Sequence, residues 1–337
     1  MSKYEIIMGN ALDALKELPE NHFHSIVTSP PYWQLRDYFC KGQLGMEETP
    51  EEFVDSLRAI MHEAKRVLRP DGVMWMVIGD TYSTPKKGNT QDNVNSKLRR
   101  DKLHEQGVDK KIPKGTKKKN LLGVPWKVAF ALQDDGWILR CDAIWNKTNG
   151  MPDGAKDRPT RCHEYVFMFT KEEHYFYDHI AVQEKAKTPN VTKRKFGAKD
   201  QKGTFRQDQD RYFEDTGMRN KRSVWSIPVA SSGGKHFGVF PVKLIAPCIL
   251  SSASVHGCCS KCGNALKNTK DRKIVSTCEC KADTNNCRVL DPFSGTATTG
   301  VVCLGNDIDY TGIELNEEYI KVSKERLDDI DPIFGGM

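Results

Sequence analysis

The chain has 337 residues, of which 38% are hydrophobic and 28% charged, with a formal net charge of +6. That is ordinary for a folded protein and enough for one large α/β domain with insertions, or two modest domains. No apolar run approaches the roughly 20 residues of a membrane span, and the opening MSKYEIIMGN has no apolar signal core, which argues for a cytoplasmic protein with no membrane partner. Eleven cysteines, several in closely spaced pairs, point to reduced thiols or metal ligands rather than a disulfide framework.

In chain order, Tyr4 to Met8 reads as a buried strand, Ala11 to Leu18 as a helix and Ser25 to Thr28 as the next strand. Glu51 to Leu68 places Phe53, Leu57, Ile60, Ala64, Val67 and Leu68 on one helical stripe, which Arg69-Pro70-Asp71-Gly72 stops; Val73 to Ile78 is then a central strand. Leu121 to Leu132 repeats the helical pattern with Pro125 near its first turn, Trp137 to Trp145 alternates like a strand, and Tyr165 to Thr170 is its partner. Such alternation predicts a doubly wound sheet with ligands beyond the carboxyl ends of its strands.

Two stretches break the pattern. Residues 83–120 hold 12 Lys/Arg against 4 Asp/Glu, and residues 185–222 hold 12 against 5, so together they exceed the charge of the whole chain and leave the remainder acidic. A solvated loop is the plain reading of such runs. Phosphate contact with double-stranded DNA is the functional one, positioning the protein without specifying sequence. Phe196, Phe205, Tyr212 and Phe213 interleave with the bases of the second segment.

Two motifs carry the chemistry. Thr28-Ser29-Pro30-Pro31-Tyr32-Trp33 follows a strand and cannot continue it: two prolines fix φ and remove two donors, leaving a hydroxyl, a stiff carbonyl and an aromatic wall of Tyr32 and Trp33. That set suits a planar group bearing an NH2, such as a nucleobase turned out of its helix. Val289-Leu290-Asp291-Pro292-Phe293-Ser294-Gly295-Thr296-Ala297-Thr298-Thr299-Gly300, followed by Tyr310-Thr311-Gly312-Ile313-Glu314, reads as strand, Gly-rich turn, helix, strand, acidic residue. Small residues in the turn let backbone approach a ligand, and a carboxylate ending the next strand can accept from ribose hydroxyls. The pair indicates a nucleoside cofactor.

Together these motifs resemble the S-adenosylmethionine-dependent DNA amino-methyltransferases, in the permuted group whose SPPY-type loop precedes the DPF.G cofactor motif. Ile144-Trp145-Asn146-Lys147, Arg158 to Tyr165 and His236 to Pro241 are similar to other family segments. The resemblance implies an α/β, Rossmann-like methyltransferase sheet in which the segment from Arg288 supplies the first two strands and the N-terminus the next. It implies a catalytic set of Ser29, Pro30, Pro31 and Tyr32, with Tyr32 and Trp33 on the base, and a cofactor set of Asn10, Phe240, Pro241, Asp291, Phe293, Gly295, Thr296 and Glu314. It also places target recognition in residues 185–222. Two residues depart from the family pattern: Ala297 replaces a glycine, and Asn10 stands where GD is common. His163 and Glu164 are expected to form a structural hydrogen-bond pair.

An exocyclic amine is a poor nucleophile because its lone pair is delocalised into the ring. Acceptors on its NH2, here Ser29 Oγ and the Pro30 carbonyl, draw the nitrogen toward tetrahedral geometry and stabilise the charge developing on attack. Ser at the first motif position goes with cytosine N4 in the resembled family and Asp with adenine N6, which favours cytosine. Adenine N6 remains an alternative, as does a non-catalytic DNA-binding protein on a methyltransferase scaffold; methylation of a protein amide explains neither basic segment. The resemblance also implies a cognate restriction endonuclease as a functional, not necessarily physical, partner.

Cys259-Ser260-Lys261-Cys262-Gly263 followed by Cys278-Glu279-Cys280 has the spacing of a structural zinc knuckle, with Cys258 and Cys287 able to substitute. The resulting organisation is a core at 1–82 with the catalytic loop, a basic insertion at 83–120, core at 121–184, target recognition at 185–222, core with the cofactor-flanking motif at 223–257, a cysteine-rich insertion at 258–287 and the cofactor half at 288–337.

Overall fold

The computed structural model describes residues 2–85, 106–107, 112–150, 152–186, 217–229, 240–271 and 273–330. Its centre is a sheet of eight strands: β1 (Tyr4–Met8), β2 (Phe23–Thr28), β3 (Leu68–Ile78), β4 (Ile138–Asn146), β5 (His163–Thr170), β6 (Val224–Ser226), β7 (Arg288–Asp291) and β8 (Asp309–Glu314), in the order β1-β8-β7-β2-β3-β5-β4-β6. Only β5 runs against its neighbours; β1, β8, β7, β2 and β3 are mutually parallel. The strands from the C-terminal part of the chain therefore lie between β1 and β2. Most of the bulk of phosphate-binding candidates in the two basic segments, including all four interleaved aromatics, lies outside the described residues.

Among the described residues, six helices cover the sheet: α1 (Ala11–Glu17), α2 (Pro50–Val67), α3 (Val124–Asp134), α4 (Val242–Ser252), α5 (Thr298–Leu304) and α6 (Glu317–Asp328). The first three build one apolar layer and the last three the other. Strand alternation divides β3 between them: Met74, Met76 and Ile78 face the first layer, Val73, Trp75 and Val77 the second. This burial on both faces explains why the central strands read as continuous apolar runs.

Local chemistry sets the helix ends. Thr49 caps α2 by accepting from the Glu52 backbone N–H while the Glu52 carboxylate accepts from the Thr49 N–H, a reciprocal capping box, and Pro50 opens the first turn. Helix α3 starts at Val124, three residues later than the sequence pattern suggests, because Gly123 at φ +69° breaks the backbone before it. Helix α4 is not foreshadowed by the sequence, since Pro247 lies inside it. No helix among the described residues is long and apolar enough to cross a membrane.

Candidate active site

The carboxyl ends of β2 and β7 are neighbours, and each runs directly into one of the two motifs. Thr28, the last residue of β2, donates from Oγ1 to Asp291 Oδ1 at 2.7 Å, so the catalytic-type and cofactor-type loops are tied at their roots. Asp291 is wholly buried and also accepts from the Phe293 backbone N–H at 3.1 Å and from Thr299 Oγ1 at 2.7 Å. Burial pushes its carboxyl up to about 6, with these hydrogen bonds opposing the rise.

Glu314 ends β8 beside this loop. Its carboxylate accepts from the backbone N–H of Gly295 at 2.8 Å and of Asn316 at 2.8 Å, and burial pushes its pKa up to about 7. Gly295 has φ +53°, with open space where a Cβ would project. Ala297, where the resembled motif has glycine, also adopts a left-handed backbone, φ +57°, a conformation that costs an L-residue roughly 1 kcal/mol. The turn is held from behind: Ser294 Oγ and Tyr310 Oη hydrogen-bond at 2.8 Å, and Gly300 and Gly312 leave the room that the Tyr310 side chain takes.

The remaining cofactor candidates divide. Asn10 follows β1 at the Glu314 end, where the Gly9 N–H donates to the Glu314 carbonyl. Its Oδ1 accepts from the Leu12 N–H and its Nδ2 donates to the Gly42 carbonyl, so the side chain caps α1 and tethers the Tyr38–Gly42 loop. Thr296 turns its hydroxyl away to accept from Arg326 of α6 at 2.8 Å. Phe293 packs at the edge of the first apolar layer and Phe240 at the edge of the second, and Pro241 precedes α4.

On the catalytic side, Ser29 and Pro31 are half-buried and Pro30 buried. No hydrogen bond among the described residues engages the Pro30 carbonyl. Trp33, expected in the aromatic wall, is instead a core residue, 3% exposed, with Nε1 donating to the Glu47 carbonyl at 3.0 Å. The loop doubles back there, with the Gln34 N–H donating to the Gly45 carbonyl, and this turns the indole inward. Tyr32 alone of the two keeps its place beside Ser29.

Tyr32 also has a partner that local sequence does not reveal. Its hydroxyl donates to Glu164 Oε2 at 2.7 Å, and Lys147 donates to Oε1 of the same carboxylate. A Cβ on Gly79, just past β3, would lie 2.7 Å from the Tyr32 ring and 3.2 Å from Glu164, so glycine makes the room in which they meet. Burial, then the Glu164 charge, holds the phenol well above its usual range, which keeps it a donor. The expected His163–Glu164 pair is corrected: His163 meets the Tyr165 ring edge-on, while Glu164 points to the catalytic loop. Adjacent residues on β5 face opposite sides, so the two cannot share one role. Asp80, beside Gly79, accepts from the Thr81 and Val124 N–H groups and pairs with Arg161 at 3.3 Å.

The four knuckle cysteines Cys259, Cys262, Cys278 and Cys280 converge, their sulfur atoms all within 4.8 Å of one another. Cys258 and Cys287 lie apart from them, in a buried group with His24.

A buried carboxylate and a left-handed glycine at one strand end stand beside a Pro-Pro loop with a half-buried hydroxyl at the next, the arrangement expected of the resembled methyltransferases. The comparisons agree. A family model described as DNA methylase, of the N6/N4 type, matches residues 23–325, and the chain belongs to that family. It is 40% identical over 319 residues to the Type II methyltransferase M.Cfr9I of Citrobacter freundii, covering 95% of this chain and 86% of that protein. It is 36% identical over 323 residues to M.SmaI of Serratia marcescens, covering 96% and 90%. Among solved structures, the PvuII DNA methyltransferase, described as cytosine-N4-specific, superposes with a TM-score of 0.60 at 18% identity, over 99% of this chain and 90% of that one. A Thermus thermophilus putative DNA modification methylase complexed with S-adenosyl-L-methionine gives 0.51 at 20% identity, over 96% and 94%. At these identities the structures show the fold, a mixed α/β methyltransferase sheet.

Proposed function

We propose that the protein transfers a methyl group from S-adenosylmethionine to the exocyclic N4 of a cytosine turned out of double-stranded DNA, as the modification partner of a restriction endonuclease. The observation that carries this reading is the Thr28–Asp291 hydrogen bond, which fixes the amine-accepting loop beside the cofactor-type loop. The order of the two motifs along the chain, with β7 and β8 inserted between β1 and β2, supports a permuted arrangement.

The residues present fit the cofactor. Glu314 has two oxygens, each with one lone pair still free after its backbone bond, for the ribose hydroxyls, and the open space at Gly295 admits close approach. When bound, S-adenosylmethionine supplies an electrophilic methyl on a sulfonium. Ser29 Oγ and the Pro30 carbonyl accept from the base NH2, draw nitrogen toward tetrahedral geometry and stabilise the positive charge that develops on it. Tyr32 presents a ring for stacking, worth on the order of 1–3 kcal/mol per base. Ser29 is the feature favouring cytosine, and adenine N6 is the second reading within the class. Mass spectrometry of nucleosides from DNA incubated with protein and S-adenosylmethionine decides: N4-methylcytosine supports the proposal, N6-methyladenine replaces the base, and no methylated base moves weight to a DNA-binding scaffold.

Two further predictions arise from this geometry. Because Glu314 accepts hydroxyls best as a carboxylate and its pKa lies at about 7, S-adenosylmethionine affinity should fall as pH drops through that value, approaching tenfold per pH unit. Titration calorimetry across the neutral range should show this slope flattened in Glu314→Gln; equal slopes contradict the role. Second, Glu164 acts on the catalytic loop through the Tyr32 hydroxyl. Glu164→Gln and Tyr32→Phe should each slow single-turnover methylation, by roughly tenfold for a lost hydrogen bond to a charged group. The double variant should be no slower than Tyr32→Phe alone. Additive effects would show that Glu164 works by another route.

A further inference from the structure

We infer that Cys259, Cys262, Cys278 and Cys280 bind a structural zinc ion, and that the metal-held turn braces the amino ends of the three strands whose carboxyl ends carry the active site. Four sulfur atoms within 4.8 Å of one another match a tetrahedral site, where zinc–sulfur bonds of about 2.3 Å place the sulfurs about 3.8 Å apart. Each thiol gives up its proton as its bond to zinc forms, and the dication offsets half of the thiolate charge and outweighs the repulsion among the sulfurs. Four protein ligands leave no open position, so the role is structural rather than catalytic.

The segment needs such a ligand because it has little else to hold it. Its strands are two-residue pairs, Cys258–Cys259 with Thr284–Asn285 and Lys267–Asn268 with Ile274–Val275, and Ile274 and Val275 are exposed rather than packed. A unit this small cannot bury enough apolar surface to fold unaided.

The structure also separates these cysteines from the other two. In the group of Cys258, Cys287 and His24, both imidazole nitrogens are already engaged. His24 Nδ1 accepts from the Arg288 backbone N–H at 3.0 Å, so Nε2 carries the proton and donates to the Gly263 carbonyl at 2.8 Å. No imidazole lone pair is left for an ion, and zinc belongs to the four-thiol group.

The bracing contacts converge on the Cys-x-x-Cys-Gly turn. Arg69, at the start of β3, donates to the Cys262 carbonyl and to Asn264 Oδ1, both at 3.2 Å, while Asp71 grips its other edge at 2.8 Å. Its guanidinium lies 2.3 Å from where a Cβ on Gly263 would project, so only glycine, at φ +76°, admits it. His24, near the start of β2, holds the Gly263 carbonyl and reaches Arg288 at the start of β7. These strands end at Thr28, Ile78 and Asp291, so that Ser29 and Gly79 follow directly, at the opposite end of the sheet.

The test uses the full chain purified without chelator from zinc-supplemented medium. We expect one zinc per chain, with X-ray absorption showing four sulfurs at about 2.3 Å. Cys278→Ser with Cys280→Ser should lose about nine-tenths of the metal, whereas Cys258→Ala and Cys287→Ala should keep it. Arg69→Met should keep zinc yet lower the melting temperature of the metal-loaded protein, and have little further effect once zinc is chelated. Substoichiometric zinc in the wild type, a nitrogen ligand in the absorption spectrum, or metal loss on replacing Cys258 and Cys287 overturns the site. An Arg69→Met effect of equal size with and without metal overturns the brace. Should the cysteine variants fail to fold, the wild-type stoichiometry and spectrum still decide.

Discussion

Replacing Ser29 with alanine is expected to slow methyl transfer by about a hundredfold, the usual scale for losing one group that stabilises developing charge, while S-adenosylmethionine affinity stays within about twofold because Ser29 is not among the groups proposed to hold the cofactor. The asymmetry follows from position. Ser29 stands one residue beyond β2, while Asp291, Phe293, Gly295, Thr296 and Glu314 of the proposed cofactor set stand on β7, β8 and the turns after them. The Pro30 carbonyl is unaffected by the substitution, because the prolines fix its direction, so one of two acceptors survives and activity is reduced rather than abolished. Single-turnover methylation and equilibrium cofactor binding, measured on the same variant, separate the two quantities. A variant that loses cofactor affinity in proportion to rate would remove Ser29 from the base side of the site.

Sequence reading recovered much of the sheet because its strands are short apolar runs bounded by turn residues and its helices carry regular stripes. Ser25 to Thr28 and Val73 to Ile78 are buried on both faces, and α2 shows its stripe from Phe53 to Val67. What it missed depends on contacts distant in the chain or on local rules that packing overrides. Helix α4 runs through Pro247, a residue that ordinarily breaks a helix, because its apolar faces are covered by the sheet and α5. Trp33 looked like a ligand wall because indole suits either a base or a core, and only the return of the chain through Gly45 and Glu47 shows which.

Glu164 is the clearest case at the site. It lies 132 residues from Tyr32, in a segment already notable for its similarity to the family, yet nothing local says that its carboxylate faces the catalytic loop rather than His163. The cysteine spacing was legible, and Cys259, Cys262, Cys278 and Cys280 do converge. The division of six cysteines into two groups was not, because it depends on His24 and Arg69, whose strands come from the other end of the chain.

The second large effect is expected at Asp291. Asp291→Ala strands three donors, the buried Thr28 and Thr299 hydroxyls and the half-buried Phe293 N–H, the buried ones each costing about 1–3 kcal/mol when left without a partner. Part of this is offset because a buried carboxylate is itself costly, as its raised pKa shows. A net loss of about 3 kcal/mol in urea unfolding is expected, together with a loss of cofactor binding, since the turn to Gly295 is rooted there. Asp291→Asn retains one acceptor oxygen and should lose less. The two forms also differ in pH response. The wild-type group, at about 6 when folded against 3.8 as a free side chain, binds more protons folded than unfolded between those values. Its contribution therefore becomes less favourable as pH rises from about 4 to about 6 and is level above that. On the order of 3 kcal/mol separates the limits, and Asp291→Asn, which does not titrate, should lack this fall. Urea unfolding of both proteins at acidic and neutral pH checks the sign. If the wild type instead gained stability relative to Asp291→Asn across that interval, the hydrogen bonds from Thr28, Thr299 and Phe293 would outweigh burial, and the carboxylate would be a stabilising anchor rather than a tolerated one.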